Sequence, residues 1–552
     1  MFLLGLNEFL DKIFFFEIVT LLGGMGVLLM GIHIMADSLE KLATDKLRVM
    51  LNSVTNKKLK GVGIGAGTTA IIQSSTATTV MTVSLVNVGI LTLSQAVPII
   101  MGANIGTTVT GLIVALQSFS FSDILFLFAI VGAFMVLLTK KESTKTIGMV
   151  LAGFGLLFVG LAVMSGSMRS LAELEGVRNA LTAISNPFLL LFIGIILTAA
   201  MQSSSAVTSL IITMAAGGLI IGGQPNSVLF VILGTNIGTC LTTLIASIGA
   251  EANAKRTALV HLLFNVIGSL VFMVFLVIWP TFNAVTFQTW LPKNPGLQIA
   301  LFHLTFNVIT TAMLLPLSGV LVTITTWMVK DKKGESVLKM RYLEERLLVT
   351  PSIAVAQVIK EIGQTIRSSE EVLTLAVNCF VNKEFDNLKE ISKKEEDIKF
   401  FTKNITEFLI KISSKDISYK DEKTISSCYH VINDIDRIAD YAQNIRRYSE
   451  DVKQNNIHIS ETAAIEINEM YDKLKAHFVA VIYVFESRRK NRMEEIEKRE
   501  DEVDDYKRKL VKNHIERMNN GECNANSSSI FINLVGNLER VGDHLTNIAR
   551  SV

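Results

Sequence analysis

Charge is what this 552-residue chain withholds, and it does so in particular places. No Lys, Arg, Asp or Glu occurs between Gly61 and Ser122, and none between Asn179 and Ala250. Residues 1–330 carry 16 Lys/Arg and 11 Asp/Glu, which leaves 36 and 39 for the rest. With 30 Phe and a mean hydropathy of +0.44, this places the chain among membrane proteins. A sparsely charged transmembrane half, 1–330, is expected to precede a charge-dense helical half, 331–552. Cysteine is also scarce. Cys240, Cys379, Cys428 and Cys523 stand far apart without CxxC spacing, which argues against a disulfide framework or a zinc knuckle and suits a reducing cytoplasm. The N-terminus has no basic start and no small-residue cleavage site, so it reads as a lead-in to the first span rather than a signal peptide. A net charge of +2 gives no reason to expect a nucleic-acid partner.

Apolar runs of spanning length occur around 15–36, 76–92, 96–117, 122–139 and 147–166, then around 206–222, 228–249, 257–279 and 298–329. Inside this apolar half lie two knots of amides and hydroxyls, Gln73-Ser74-Ser75-Thr76 and Gln202-Ser203-Ser204-Ser205. Gly65, Thr69 and Ala70 before the first match Gly194, Thr198 and Ala199 before the second. Farther on, Gly102-Ala103-Asn104-Ile105-Gly106-Thr107-Thr108 matches Gly234-Thr235-Asn236-Ile237-Gly238-Thr239-Cys240. Two copies with polar breaks in apolar segments are the pattern of a transporter built from internal repeats, here about 15–166 and 188–330. The stretches ending at the Gln motifs, 61–73 and 188–202, are too short to cross comfortably and are expected to be re-entrant hairpins meeting at mid-membrane.

Buried unpaired, these polar groups would cost several kcal/mol each in hydrocarbon, so they must pair with one another or with a ligand. A single serine run is ordinary helix-packing material. Repetition, the shared Gln, the second matched motif and the missing charge turn the reading toward a substrate. Hydroxyls and the N-termini of broken helices suit an oxyanion. The positive charge they lack could come with co-bound Na⁺, which takes carbonyl, hydroxyl and amide oxygens. A proton-coupled design would instead place a carboxylate or His in the core, and Glu17, Asp123, His33, His261 and His303 all stand outside the motifs. No His–Asp pair accompanies the serines, so an enzyme is not expected. Basic clusters at Lys57-Lys58 with Lys60, Lys140-Lys141 with Lys145, Lys255-Arg256, and Lys330 with Lys332-Lys333 put the C-terminal half in the cytoplasm and the 166–187 loop outside. His261 with Asn265, and His303 with Asn307, share helix faces and read as hydrogen-bonding glue between helices ahead of a direct ligand role.

The doubled QSS, GANIGTT and GTNIGTC motifs over roughly 15–330 resemble the type II sodium–phosphate cotransporter family, in its bacterial branch. The resemblance implies an all-α polytopic membrane protein of two inverted repeats in the cell's inner membrane, carrying Na⁺ with inorganic phosphate. It implies that Gln73, Ser74, Ser75, Thr76, Gln202, Ser203, Ser204 and Ser205 line the phosphate site. Thr79, Asn104, Thr107 and Thr108 in the first copy would ligate sodium or support the site, as would Thr208, Asn236 and Thr239 in the second. Cys240 stands where the first copy has Thr108, so that position is not symmetric. The expected function is Na⁺-driven phosphate uptake; the alternatives are a membrane-anchored phosphate sensor and a carrier of another oxyanion.

After Val337 the pattern is amphipathic helix with dense mixed charge. Asp436-Arg437-Ile438-Ala439-Asp440 with Asn444 repeats as Glu539-Arg540-Val541-Gly542-Asp543 with Asn547, about 100 residues apart, suggesting paired three-helix bundles. This half resembles PhoU-type domains. Spacing of four puts Asp436, Asp440 and Asn444, and likewise Glu539, Asp543 and Asn547, on one helix face, as a carboxylate metal site requires. The resemblance adds Glu395 opposite the first trio and Glu500 with Asp504 opposite the second, and a divalent or transition metal as ligand. Lys399 stands where the second copy has Asp504, so the first site lacks a ligand. A regulatory role follows from the likeness, and a homo-oligomer is compatible with it.

Overall fold

The computed structural model describes residues 2–52, 57–119, 122–331, 340–521, 523 and 525–552, without the side chains of 2–13, 44–52, 123 and 525. The Asp123 carboxyl and the Lys332-Lys333 pair therefore lie outside the described residues. Those residues are mainly helical, with no strand among them, and the chain forms two compact units, Met1–Gly334 and Glu335–Val552.

The first unit holds α1 (Phe2–Asn52), α2 (Lys58–Ile72), α3 (Ser75–Asn87), α4 (Leu93–Ala115), α5 (Leu127–Leu138), α6 (Glu142–Glu173) and α7 (Glu175–Ala183). It continues with α8 (Pro187–Met201), α9 (Ser204–Ala216), α10 (Ser227–Ala246), α11 (Ala252–Ile278), α12 (Pro295–Leu314) and α13 (Ser318–Met328). Six described helices are long and apolar enough to cross a membrane. The apolar run 298–329 breaks before Ser318, next to Pro316, so it gives α12 and the short α13 rather than one straight helix. Large apolar side chains such as Leu137, Leu138, Phe188, Ile278 and Trp327 are exposed, as a surface facing lipid requires.

Both Gln motifs are hairpin tips. α2 and α8 are each 15 residues and α3 and α9 each 13. At 1.5 Å per residue these helices measure about 20 Å, short of a hydrocarbon core of about 30 Å, so each pair turns back within it. Glycines press the hairpins against the long helices. A Cβ on Gly102 would lie 2.0 Å from Val62 O, and one on Gly65 1.9 Å from Ile99 O. The second copy repeats this, with Gly234 at 2.0 Å from Leu191 O and Gly194 at 2.2 Å from Val231 O. Backbone touches backbone at both crossings.

Side-chain contacts sort the helix ends into two faces. Asn87 Oδ1 accepts from Glu251 N at 2.7 Å, and Arg256 donates from Nε and Nη2 to Val329 O at 3.0 and 2.8 Å. The end of α3, the start of α11 and the end of α13 thus share a face. Asn226 Nδ2 donates to Leu276 O and Trp279 O, at 3.0 and 2.8 Å, joining the start of α10 to the end of α11 at the other face. α4 starts shortly after α3 ends, at the first face, and α10 starts at the other, so the hairpins packed on them enter from opposite faces and the repeats are inverted.

The second unit holds α14 (Pro351–Val381), α15 (Leu388–Ser413), α16 (Tyr419–Gln454), α17 (Glu461–Ser487), α18 (Met493–Asn519) and α19 (Ala525–Arg550). α14, α15 and α16 pack as one three-helix bundle and α17, α18 and α19 as another, joined through α16 with α19 and α14 with α17.

Candidate functional site

Gln73 and Gln202 each cap a helix in the left-handed region, at φ 56°, ψ 20° and φ 54°, ψ 21°. A non-glycine residue is uncommon there, and the same exception at equivalent positions marks a constrained site. A new helix begins two residues later. Ser74 Oγ accepts from Ala77 N at 3.1 Å and Ser203 Oγ from Ala206 N at 3.2 Å, so both serines are N-caps. Ser75 and Ser204, the first residues of α3 and α9, are each 5% exposed, and their hydroxyls bond to no described residue. Each tip therefore offers hydroxyls, unpaired first-turn N–H groups and the positive end of a helix dipole. Thr76 and Ser205 follow, half-buried.

The hairpin helices α3 and α9 each pack on the long helix of the other repeat. α4 packs on α9 and α10 on α3; a Cβ on Gly111 would lie 3.7 Å from Thr208 Cγ2, and Gln117 Nε2 donates to Thr213 Oγ1 at 3.3 Å. Equivalent hydroxyls behave alike. Thr79 and Thr208 are buried with Oγ1 unpartnered. Thr107 and Thr239 donate to Ala103 O and Thr235 O at 3.0 Å. Thr108 Oγ1 donates to Ile105 O at 2.7 Å, whereas Cys240 Sγ lies 3.5 Å from His261 O and accepts from Asn265 Nδ2 at 3.3 Å. The tips themselves are presented unequally. Gln73 is buried and its Oε1 accepts from Thr110 Oγ1 at 2.9 Å. Gln202 is exposed, and Thr242, the equivalent of Thr110, makes no such bond. Thr110 was not among the sequence candidates. It lies one turn beyond Thr107 on the same face of α4, and that periodicity was its only signal.

As glue, the His–Asn pairs act only in part. Asn265 and Asn307 donate to the carbonyls of His261 and His303, within their own helices, at 3.0 Å. Among the described residues, the contacts of these pairs that reach across helices are Asn265 with Cys240, Cys240 with the His261 carbonyl, and His303 with Asn236. Polar atoms of His261, Asn265, His303 and Asn307 stay buried without partners. A cavity of about 580 Å³ lies beyond the C-terminal end of α9, lined by Met214, Gly218, Asn283 and Gln298 among others, and not at the tips.

In the second unit, carboxylate oxygens of Asp504, Glu539 and Asp543 lie within 4.8 Å of one another. Burial and mutual repulsion raise the Asp504 and Asp543 carboxyls above the usual range, and burial raises Glu500. Such a group fits a divalent cation, which would need to displace Lys507 Nζ from Glu539 at 2.9 Å. Glu500 faces Arg550 at 3.4 Å, and Asn547 follows one turn after Asp543 on α19. The first copy does not fit a metal. Lys399 pairs with Glu395 and lies 3.8 Å from Asp440, so an ammonium takes the position. Asp436 accepts from Thr402 Oγ1 at 2.8 Å, and Asn444 lines a small cavity with Arg437 and Arg447.

The Na⁺/Pi-cotransporter family model matches residues 27–166 and 164–277, one copy on each hairpin repeat, and the PhoU domain model matches 362–448 and 467–552. The chain belongs to the Na⁺/Pi-cotransporter family. It is 31% identical over 292 residues to the uncharacterized protein YqeW of Bacillus subtilis, covering 53% of this chain and 91% of that one. It is 23% identical to the putative inorganic phosphate export protein YjbB of Salmonella typhimurium, over 97% of both chains. A 66-residue stretch is 46% identical to the sheep sodium-dependent phosphate transport protein 2A, 12% of this chain and 10% of that protein. No solved structure matches. Membership supports phosphate transport by a multi-pass membrane protein, and the family implies sodium as the coupling ion.

Proposed function

We propose that the protein is a secondary active carrier that couples Na⁺ entry to inorganic phosphate movement, with phosphate held between the two hairpin tips. The observation that carries this is the pair of helix N-termini at Ser75 and Ser204, each behind a left-handed Gln, in segments without a charged side chain. Hydroxyls and backbone N–H groups bind the anion but cannot neutralise a dianion in low dielectric, so co-bound Na⁺ supplies the charge. Oxygens of Asn104, Thr79 and Thr208 are of the type a hard cation takes. No covalent bond needs to change, and an enzyme activity is not part of the reading.

The basic clusters at Lys57, Lys140, Lys255 and Lys330 all fall on the face shared by Asn87, Glu251 and Val329, which supports assigning that face, and the unit that follows Lys330, to the cytoplasm. An inward Na⁺ gradient then drives uptake in the inner membrane. The export named for YjbB, a relative along nearly the whole chain, favours the opposite net direction as a second reading. Proteoliposomes with phosphate on one side and Na⁺ or K⁺ gradients of either sign test both. Flux that follows the Na⁺ gradient supports coupling, and Na⁺-indifferent efflux supports the second reading.

A further inference from the structure

Asn104 and Asn236 occupy equivalent places in the two repeats, yet their amide oxygens are engaged differently. Each is 4% exposed, and each donates from Nδ2 to the carbonyl four residues back, Ile100 O and Ile232 O, at 2.9 Å. That bond identifies the oxygen end of the amide, so each Oδ1 is an acceptor. Asn236 Oδ1 meets His303 Nε2 at 3.3 Å, from α10 to α12. No donor from a described residue meets Asn104 Oδ1. An amide oxygen only accepts, so Nε2 carries the hydrogen and Nδ1 is the bare nitrogen. Nδ1 is buried without a partner, so among the described residues the Asn236 contact is the one polar bond of the ring. His261, its counterpart on α11, makes no such contact, and both of its ring nitrogens are buried and unpartnered. The helices packed on α12 from the motif side, α4, α9 and α10, bring no Lys, Arg, Asp or Glu, so no fixed charge decides which partner Asn236 Oδ1 takes.

We propose that His303 is a latch on the second-repeat cation position: its Nε2–H competes with Na⁺ for Asn236 Oδ1, leaving one open and one latched amide oxygen in the two repeats. This rests on the Na⁺-coupled reading above. His303 acts here as a positioning residue, since it works through Asn236 and touches neither phosphate nor Na⁺. The inverted repeats then bind Na⁺ unequally although their motifs match, and the last ion to bind is the one that must displace the ring.

The test titrates Na⁺ against K⁺ at constant ionic strength on the purified full-length chain, reading the thermal unfolding midpoint, and in parallel the Na⁺ activation of phosphate uptake. His303→Leu removes the competing N–H. The half-saturating Na⁺ concentration should fall roughly 2- to 10-fold, the worth of one neutral hydrogen bond, with phosphate half-saturation at saturating Na⁺ unchanged. His303→Gln, whose amide N–H reaches the same oxygen, should return toward the wild type. In an Asn236→Ala background, His303→Leu should do nothing further. If His303→Leu does not fold, His303→Ala removes the same donor and enters the same cycle. Half-saturation that is unchanged or raised, or a phosphate affinity that falls in parallel, overturns the latch. Wild-type protein indifferent to Na⁺ overturns the coupled reading as well, whereas a responsive wild type with an identical His303→Leu overturns the latch alone.

Discussion

Adjacent serines in each motif carry different duties. Ser74 and Ser203 accept from Ala77 N and Ala206 N, while the buried Ser75 and Ser204 hydroxyls meet no partner among the described residues, as the proposed anion site needs. Ser75→Ala or Ser204→Ala should therefore weaken phosphate binding by about 1–3 kcal/mol with little change in folding. Ser74→Ala or Ser203→Ala should cost about 0.5–2 kcal/mol of stability through the lost cap. Phosphate half-saturation and thermal unfolding, measured on the same four variants, separate the two effects. Equal losses of binding and stability in all four would remove the distinction. Which hydroxyl is free was not legible in the sequence, where both serines look alike, because capping depends on where the helix starts. Gln73 with Thr110 and Asn236 with His303 were hidden for another reason: the partners lie 37 and 67 residues apart and meet only through tertiary packing.

Among the elements, the hairpins were the most legible. A Gln-Ser-Ser break inside an apolar stretch too short to span leaves few alternatives, and the match between copies marks both tips. The glycines around the Asn motifs were visible as a pattern, but their use was not. Gly102 and Gly234 let α4 and α10 touch the backbone of α2 and α8. Gly102→Ala or Gly234→Ala puts a methyl group about 2.0 Å from a carbonyl oxygen in a helix that cannot yield locally. Each should cost at least about 1–3 kcal/mol, seen as a lower unfolding midpoint and loss of uptake. Gly63 and Gly166, with open space at the Cβ position, should accept Ala without such a loss. Span boundaries were the least legible: continuous hydropathy from 298 to 329 conceals the break before Ser318.

At the scale of the whole molecule, two units with different solvents follow from one shift in charge density. The second unit carries its own pH signature. The Asp504 and Asp543 carboxyls are raised in the folded chain, chiefly by burial and then by their acidic neighbours. Raised acids favour the fold most below their ordinary range, and that contribution is lost as pH rises through the folded values. With chelator present, hydrogen-exchange protection of α18 and α19 should therefore increase as pH falls toward the ordinary carboxylate range. His477, pushed down to about 4 by burial, works in the opposite direction as pH falls from its ordinary value toward 4. Comparison with Asp504→Asn isolates the carboxylates, and the variant should show a flatter response. A divalent cation at pH 7 should protect the wild type and not the variant; equal protection of both would show that the three carboxylates do not hold the ion.

Radiolabelled phosphate flux in proteoliposomes containing the full chain, with an inward Na⁺ gradient and K⁺ replacing Na⁺ in the control, tests the central claim most directly. Accumulation that requires the Na⁺ gradient, and that falls away in Ser75→Ala and Ser204→Ala at limiting phosphate, is the predicted result. Phosphate movement at the same rate in K⁺ would contradict the account.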